Sequence, residues 1–95
     1  MLLIRRVEGL SMLPAFNHGK IVVGLRFVRK PKVGDVVIVR HHRLEIIKRV
    51  DQIHDGKVYL LGDNPSESTD SRQFGWLPLN AIRAIVFGPQ RSENG

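Results

Sequence analysis

Short runs of apolar and β-branched residues alternate with turn-forming residues along most of the chain. Val36–Arg40 is a nearly continuous apolar run, which is typical of a strand buried on both faces. Other runs predict strands at Lys20–Val28, Leu44–Ile53, Lys57–Leu61 and Ala81–Phe87. No window shows a long apolar repeat of 3.6 residues, so we expect an all-β fold of short antiparallel strands in a compact barrel or sandwich.

Turn-forming residues separate the predicted strands. Asp55-Gly56 suits a two-residue type I′ turn and predicts a hairpin between Leu44–Ile53 and Lys57–Leu61. We also predict turns at residues 17–19 and 30–35 and a polar loop at residues 41–43. Pro78–Ile82 is expected to form one helical turn, and at most this one is predicted.

Length and composition limit the function classes. With 95 residues, the chain is expected to form a single domain over residues 1–95, with a disordered polar tail at 91–95. The absence of cysteine excludes a disulfide framework and a thiol nucleophile. Because Met1–Ile4 is too short for a signal-peptide core and no apolar stretch reaches membrane-spanning length, we expect a soluble, cytoplasmic protein.

A net charge of +6 makes an anionic partner conceivable. Basic residues are dense between Arg26 and Arg49, but only Phe27 offers the aromatic stacking that single-strand binders use. Nucleic acid is therefore the less favoured partner, and a solvated basic face is the simpler reading.

The histidines do not predict a metal site. His41 and His42 are adjacent, so on a strand their side chains point to opposite faces, and no third ligand has a suitable spacing. His18 and His54 lie at predicted turns and are expected at the surface.

The segment Gly62–Gly75 is too long for a simple connection and is polar throughout. It holds Ser68, Asp70 and Arg72 at alternate positions, which share one face if the backbone is extended. Asp70 and Arg72 would then pair beside Ser68. A solvated loop without a special role is the alternative.

Lys48 lies on the more apolar face of its predicted strand, together with Leu44, Ile46 and Val50. Burial lowers the pKa of a lysine amine, and a neutral amine can act as a general base. From position alone, a lysine that extends to solvent is the better explanation.

Ser11 precedes Met12-Leu13-Pro14. A serine hydroxyl becomes a good nucleophile only when a base takes its proton, and Ser–Lys pairs are one known arrangement. Taken alone, Ser11 is better explained as a serine without a catalytic role.

In their order along the chain these segments resemble the signal peptidase I family of Ser–Lys serine proteases. The matching motifs are Ser11-Met12-Leu13-Pro14, Gly34-Asp35-Val36-Val37, Ile47-Lys48-Arg49-Val50, Gly62-Asp63-Asn64 and Ser68-Thr69-Asp70-Ser71-Arg72.

The resemblance implies a role for each matching residue. Ser11 would be the nucleophile, and its backbone N–H would contribute to the oxyanion hole. Lys48 would be the general base, Ser68 would orient the lysine amine, and Asp70 and Arg72 would form a supporting ion pair.

Some family members have a serine two residues before the nucleophile that donates to the oxyanion, but this chain has Gly9 there. Gly9 and Met12 are the candidate substrate-binding residues. The resemblance implies no metal and no organic cofactor.

Pro65 after Gly62-Asp63-Asn64, and the lack of an apolar anchor before Ser11, resemble a branch of the family: the nickel-type superoxide dismutase maturation proteases. The implied partner is a dismutase precursor, from which the protease removes a leader peptide. Three alternatives stay open. They are an inactive β-rich module that binds peptide or nucleic acid, a general signal peptidase I catalytic domain, and a self-cleaving repressor domain.

Overall fold

The computed structural model describes residues 1–26 and 29–87. Within these residues seven strands follow one another: β1 (Leu2–Arg6), β2 (Ile21–Leu25), β3 (Val36–His41), β4 (Leu44–His54), β5 (Lys57–Leu61), β6 (Leu77–Pro78) and β7 (Ile82–Phe87). One short helix, α1 (Ser71–Phe74), and two 3₁₀ turns, Pro65–Glu67 and Leu79–Ala81, complete the fold. The end of the predicted strand Lys20–Val28 and the predicted tail at 91–95 lie outside the described residues.

All seven strands form one sheet in the order β1-β2-β7-β3-β4-β5-β6, and each adjacent pair is antiparallel. The sheet curls on itself, because Arg5 on β1 reaches Glu45 on β4 although three strands separate them in the sheet. The all-β expectation is confirmed. Within the part of the chain that the structure describes, no helix is long and apolar enough to cross a membrane.

The predicted hairpin is confirmed. Asp55 and Gly56 both have positive φ, at 50° and 72°, as a type I′ turn requires, and His54 pairs with Lys57 across it. The loop predicted at residues 41–43 is shorter than expected, because His41 still belongs to β3 and pairs with Leu44.

Two local predictions were incomplete. β1 was not predicted as a strand. Its apolar run is short, and its strand structure depends on pairing with β2 over five residues. The helical turn expected at Pro78–Ile82 is present, but the expectation of at most one such turn was wrong. The long loop contains two more, at Pro65–Glu67 and at α1.

The core lies on both sides of β3. Because side chains alternate along a strand, Val36 and Ile38 pack with one buried cluster and Val37 and Val39 with another. The prediction of a strand buried on both faces is confirmed. The first cluster includes Met12, so the residue that follows Ser11 is anchored in the core.

Candidate active site

The segment around Ser11 is held by its neighbours on the chain. Met12 and Phe16 are 1% exposed, and the Phe16 N–H donates to the Met12 carbonyl at 2.9 Å. These two side chains lie in the core, while Ser11 itself stays half-buried. The predicted serine is therefore fixed in place with its hydroxyl at the edge of the core.

Lys48 and Ser11 meet although 37 positions separate them in sequence. The Lys48 Nζ atom lies 2.9 Å from the Ser11 Oγ atom and 3.1 Å from the Ser68 Oγ atom. Lys48 is 5% exposed. The lysine therefore does not extend to solvent, and its amine lies between two hydroxyl groups.

The surroundings of Lys48 favour a neutral amine. Burial lowers the pKa of Lys48, and this is the largest effect. The Asp70 carboxylate opposes the shift and the Arg72 guanidinium adds to it, so the pKa stays below that of an ordinary lysine. In the neutral form the nitrogen lone pair is available to accept the proton of a neighbouring hydroxyl.

Asp70 organises the long loop behind this amine. Its carboxylate accepts hydrogen bonds from Ser68 Oγ at 2.8 Å, from Gly62 N–H at 2.8 Å and from Arg72 Nη2 at 2.7 Å. Burial alone would raise the pKa of Asp70, but these hydrogen bonds, led by that from Arg72, outweigh it and hold the pKa well below its usual range.

The predicted meeting of Ser68, Asp70 and Arg72 is found, but the backbone differs from the extended segment expected. Asp70 is the N-cap of α1, and its backbone and side chain form a capping box with Gln73. Arg72 reaches the carboxylate from the first turn of the helix. The Asp-x-x-Gln spacing of residues 70–73 was a sequence signal for this helix.

Gly62 permits the close approach of the loop. A Cβ atom at this position would lie 2.2 Å from Ser68 Oγ and 2.8 Å from the Ser11 carbonyl oxygen. Contacts this short do not occur with a real side chain, so only glycine fits without a shift. The Gly-Asp-Asn motif marked the position, but the reason for the glycine is visible only in three dimensions.

The other two residues of that motif join the loop to the rest of the site. Asn64 donates from its backbone N–H to the Ser11 carbonyl at 2.8 Å and from its side chain to the Leu10 carbonyl at 3.0 Å. Asp63 pairs with the buried Arg49 through two hydrogen bonds of 2.9 and 2.7 Å. Neither contact was predicted from the sequence.

Gly9 lies before the serine with a φ of +81°. Its N–H donates to His18 Nδ1 at 2.8 Å. His18 is exposed as predicted, but this contact was not. With no side chain at Gly9 and its N–H bonded to His18, this position offers no oxyanion donor in the observed geometry.

A cavity of about 220 Å³ opens over the Ser11–Lys48 pair. Its walls come from the end of β1 with the residues after it and from the first half of β4; they are Arg6, Val7, Glu8, Ser11, Met12, Glu45, Ile46, Ile47 and Lys48. Met12 thus lines the cavity as a candidate substrate-binding residue, whereas Gly9 is not among the described residues that line it.

The histidines do not gather around this cavity. His41 stacks against Phe74 with ring centroids 4.3 Å apart, and His42 lies beside it. Among the residues with described positions, no group of three potential metal ligands is present.

Comparison with known proteins identifies a peptidase family. A match to the family described as Peptidase S24-like covers residues 2–74. The chain is also similar to mitochondrial inner membrane protease subunit 1 of Xenopus tropicalis, with 35% identity over 92 residues and 86% of this chain. The Mus musculus protein of the same name is 34% identical over 74 residues and 78% of the chain. The chain spans 50% of the frog protein and 40% of the mouse protein.

Proposed function

Because the chain belongs to the Peptidase S24-like family, we propose that it is a serine endopeptidase with Ser11 as nucleophile and Lys48 as general base. The observation that carries the proposal is the 2.9 Å distance between Lys48 Nζ and Ser11 Oγ, with the amine buried. A buried amine with a lowered pKa next to a hydroxyl is the arrangement that a Ser–Lys nucleophile needs.

The reaction follows from this geometry. Neutral Lys48 takes the proton of Ser11 as the hydroxyl attacks the scissile carbonyl, and the protonated amine then delivers it to the leaving nitrogen. Water hydrolyses the acyl-enzyme with Lys48 again as base. Within residues 1–26 and 29–87 no group accepts a hydrogen bond from the Ser11 N–H, which supports its role as an oxyanion donor.

Ser68, Asp70 and Arg72 act through Lys48. Ser68 contacts the amine at 3.1 Å and is itself held by Asp70 at 2.8 Å. Arg72 completes the pair with Asp70. We assign these three residues to positioning the base, as the family resemblance implies, and Asp70 and Arg72 also to setting its pKa.

The cavity suits an extended peptide, because a strand edge without a described partner lies on each of its two walls. The main-chain groups of Val7 bond to Gly19 and Lys20 at 2.8 Å, so those of Arg6 face away from β2, toward the cavity. On the opposite wall, β4 pairs with β5 only from Arg49 onward, which leaves its first half without a described partner on that side. A substrate strand would therefore find main-chain partners on both walls.

We propose a precursor protein as the substrate, with removal of a leader peptide as the reaction. The motif order, and Pro65 after Gly62-Asp63-Asn64, support a nickel superoxide dismutase precursor. We also propose that the protein works in the cytoplasm. The similarity to mitochondrial inner membrane protease subunits supports a general peptidase as the alternative.

The test is to incubate the protein with the dismutase precursor and identify the products by mass spectrometry. We expect one cut at the leader boundary, and its loss in the Ser11→Ala and Lys48→Met variants. Ser66→Ala is the matched control, because Ser66 is an exposed serine of the same loop. Equal cleavage by Ser11→Ala and the unmodified protein would refute the proposal. Tight peptide binding without cleavage would favour an inactive binding module.

A further inference from the structure

Glu8 differs from the other acidic residue of the cavity. Both Glu8 and Glu45 line the wall around the Ser11–Lys48 pair. Glu45 is neutralised by Arg5, which binds both of its carboxylate oxygens. Glu8 is exposed and, in the described part of the chain, has neither a hydrogen bond nor an ion pair to its side chain.

The nearby cations do not neutralise Glu8. Arg6 also lines the cavity, but its guanidinium lies beside Gly19, where a Cβ atom would be 3.6 Å from Nη2. Lys48 acts as a base only when its amine is uncharged. The Glu8 carboxylate thus faces solvent three residues before Ser11, without an ion-pair partner among the described residues, in an otherwise basic protein with a net charge of +6.

We propose that Glu8 is a specificity-determining residue, and that the enzyme prefers substrates with a lysine or arginine close to the scissile bond. This inference rests on the proposed peptidase function. A peptide strand along the cavity brings its side chains against the wall formed by residues 6–8. A basic side chain there forms a charge-assisted hydrogen bond to Glu8, whereas an acidic one meets a like charge.

The test uses one peptide series with lysine, glutamine or glutamate placed in turn at each position within three residues of the cut. For the unmodified protein we expect kcat/KM to be about fivefold higher for lysine than for glutamine at one position, as partly exposed ion pairs allow. Glutamate at that position should be disfavoured by a similar factor. The preference should decrease as salt is added, because the pair remains partly exposed.

Three variants identify the responsible group. Glu8→Gln should remove the preference for lysine over glutamine, and Glu8→Lys should invert it. Glu67→Gln is the matched control, because Glu67 is an exposed carboxylate without an ion pair in the described structure, and it does not line the cavity. An unchanged preference in Glu8→Gln would overturn the inference.

Failure of the peptidase proposal is separated from failure of this one by a binding measurement. The same peptides are titrated into the Ser11→Ala protein and into Ser11→Ala/Glu8→Gln, and binding is followed by fluorescence anisotropy. If no peptide is cleaved by the unmodified protein, the peptidase proposal fails. A lysine preference in binding that needs Glu8 still supports the inference, and its absence refutes it.

Discussion

The Ser68 hydroxyl donates a 2.8 Å hydrogen bond to the Asp70 carboxylate. Because a hydroxyl has one proton and that proton is directed to Asp70, its lone pairs face the Lys48 amine 3.1 Å away. Asp70 is fully buried and is fixed by Arg72 and by the Gly62 N–H. The loop thus determines the orientation of Ser68, and Ser68 determines the position of the amine relative to Ser11.

Removal of this hydroxyl should weaken catalysis without removing it. We expect Ser68→Ala to lower kcat roughly fivefold with little change in KM, since one hydrogen bond contributes about 1 kcal/mol. Steady-state kinetics measure both constants, and Ser66→Ala should leave both unchanged. A rise in KM with an unchanged kcat would contradict the positioning role.

A methyl group at position 62 should disturb the same contact from the other side. We expect Gly62→Ala to lower kcat and to decrease the free energy of unfolding by about 1–3 kcal/mol, because the new Cβ would overlap Ser68 and the Ser11 carbonyl. Urea unfolding and kinetics test this. Gly56→Asn is the control, since a Cβ there meets nothing within 4 Å and asparagine tolerates the φ of +72°. Normal activity of Gly62→Ala would show that the loop can move aside.

The pH dependence of activity should follow the Lys48 amine. The active form is the neutral one, so kcat/KM should rise with pH to a plateau, with the midpoint at the pKa of Lys48 in the free enzyme. Burial and Arg72 both lower that pKa.

Replacing Arg72 should therefore move the rising limb to higher pH. In Arg72→Met the positive charge is lost and Asp70 is no longer neutralised, and both changes favour the protonated amine. Lys57→Met, which removes an exposed lysine on β5, should leave the limb in place. If the rising limb of the pH profile moved to lower pH in Arg72→Met, Arg72 would not be lowering the pKa of Lys48.

The free energy of unfolding should fall more when one member of the Arg49–Asp63 pair is replaced than when both are. Arg49 is 1% exposed, and it also donates to the Gly34 carbonyl at 2.9 Å. We expect Arg49→Met to lower the free energy of unfolding by about 3–5 kcal/mol, because Asp63 is left without its partner. Arg49→Met/Asp63→Leu should be less destabilised than the single variant. Urea unfolding measures both, and a purely additive loss would show that the two side chains do not depend on each other.

Local structure was largely predictable. Three elements depend on backbone preferences and side-chain alternation over a few residues. They are the hairpin at Asp55-Gly56, the strand at Val36–Arg40 that is buried on both faces, and the turn before Ile82. The residue types of the site, Ser11 and Lys48 above all, could also be selected from their motifs.

One feature of the loop was predicted only in part, and one strand was not predicted. Ser68, Asp70 and Arg72 do meet, but through a helix capped by Asp70 and not through an extended segment. β1 was missed because its strand character comes from pairing with β2. In both cases a contact with the rest of the fold overrides a weak local preference.

The amino-acid sequence alone was enough to predict the main strands, the absence of a thiol and the residues available for chemistry. The folded chain was needed to show that Lys48 is buried against Ser11, that Gly62 leaves room for Ser68, and that Glu8 lines the cavity without an ion-pair partner among the described residues. Backbone preferences act over a few neighbouring residues. These contacts join positions up to 51 residues apart in sequence (Gly62 and Ser11) and depend on how the sheet registers and curls.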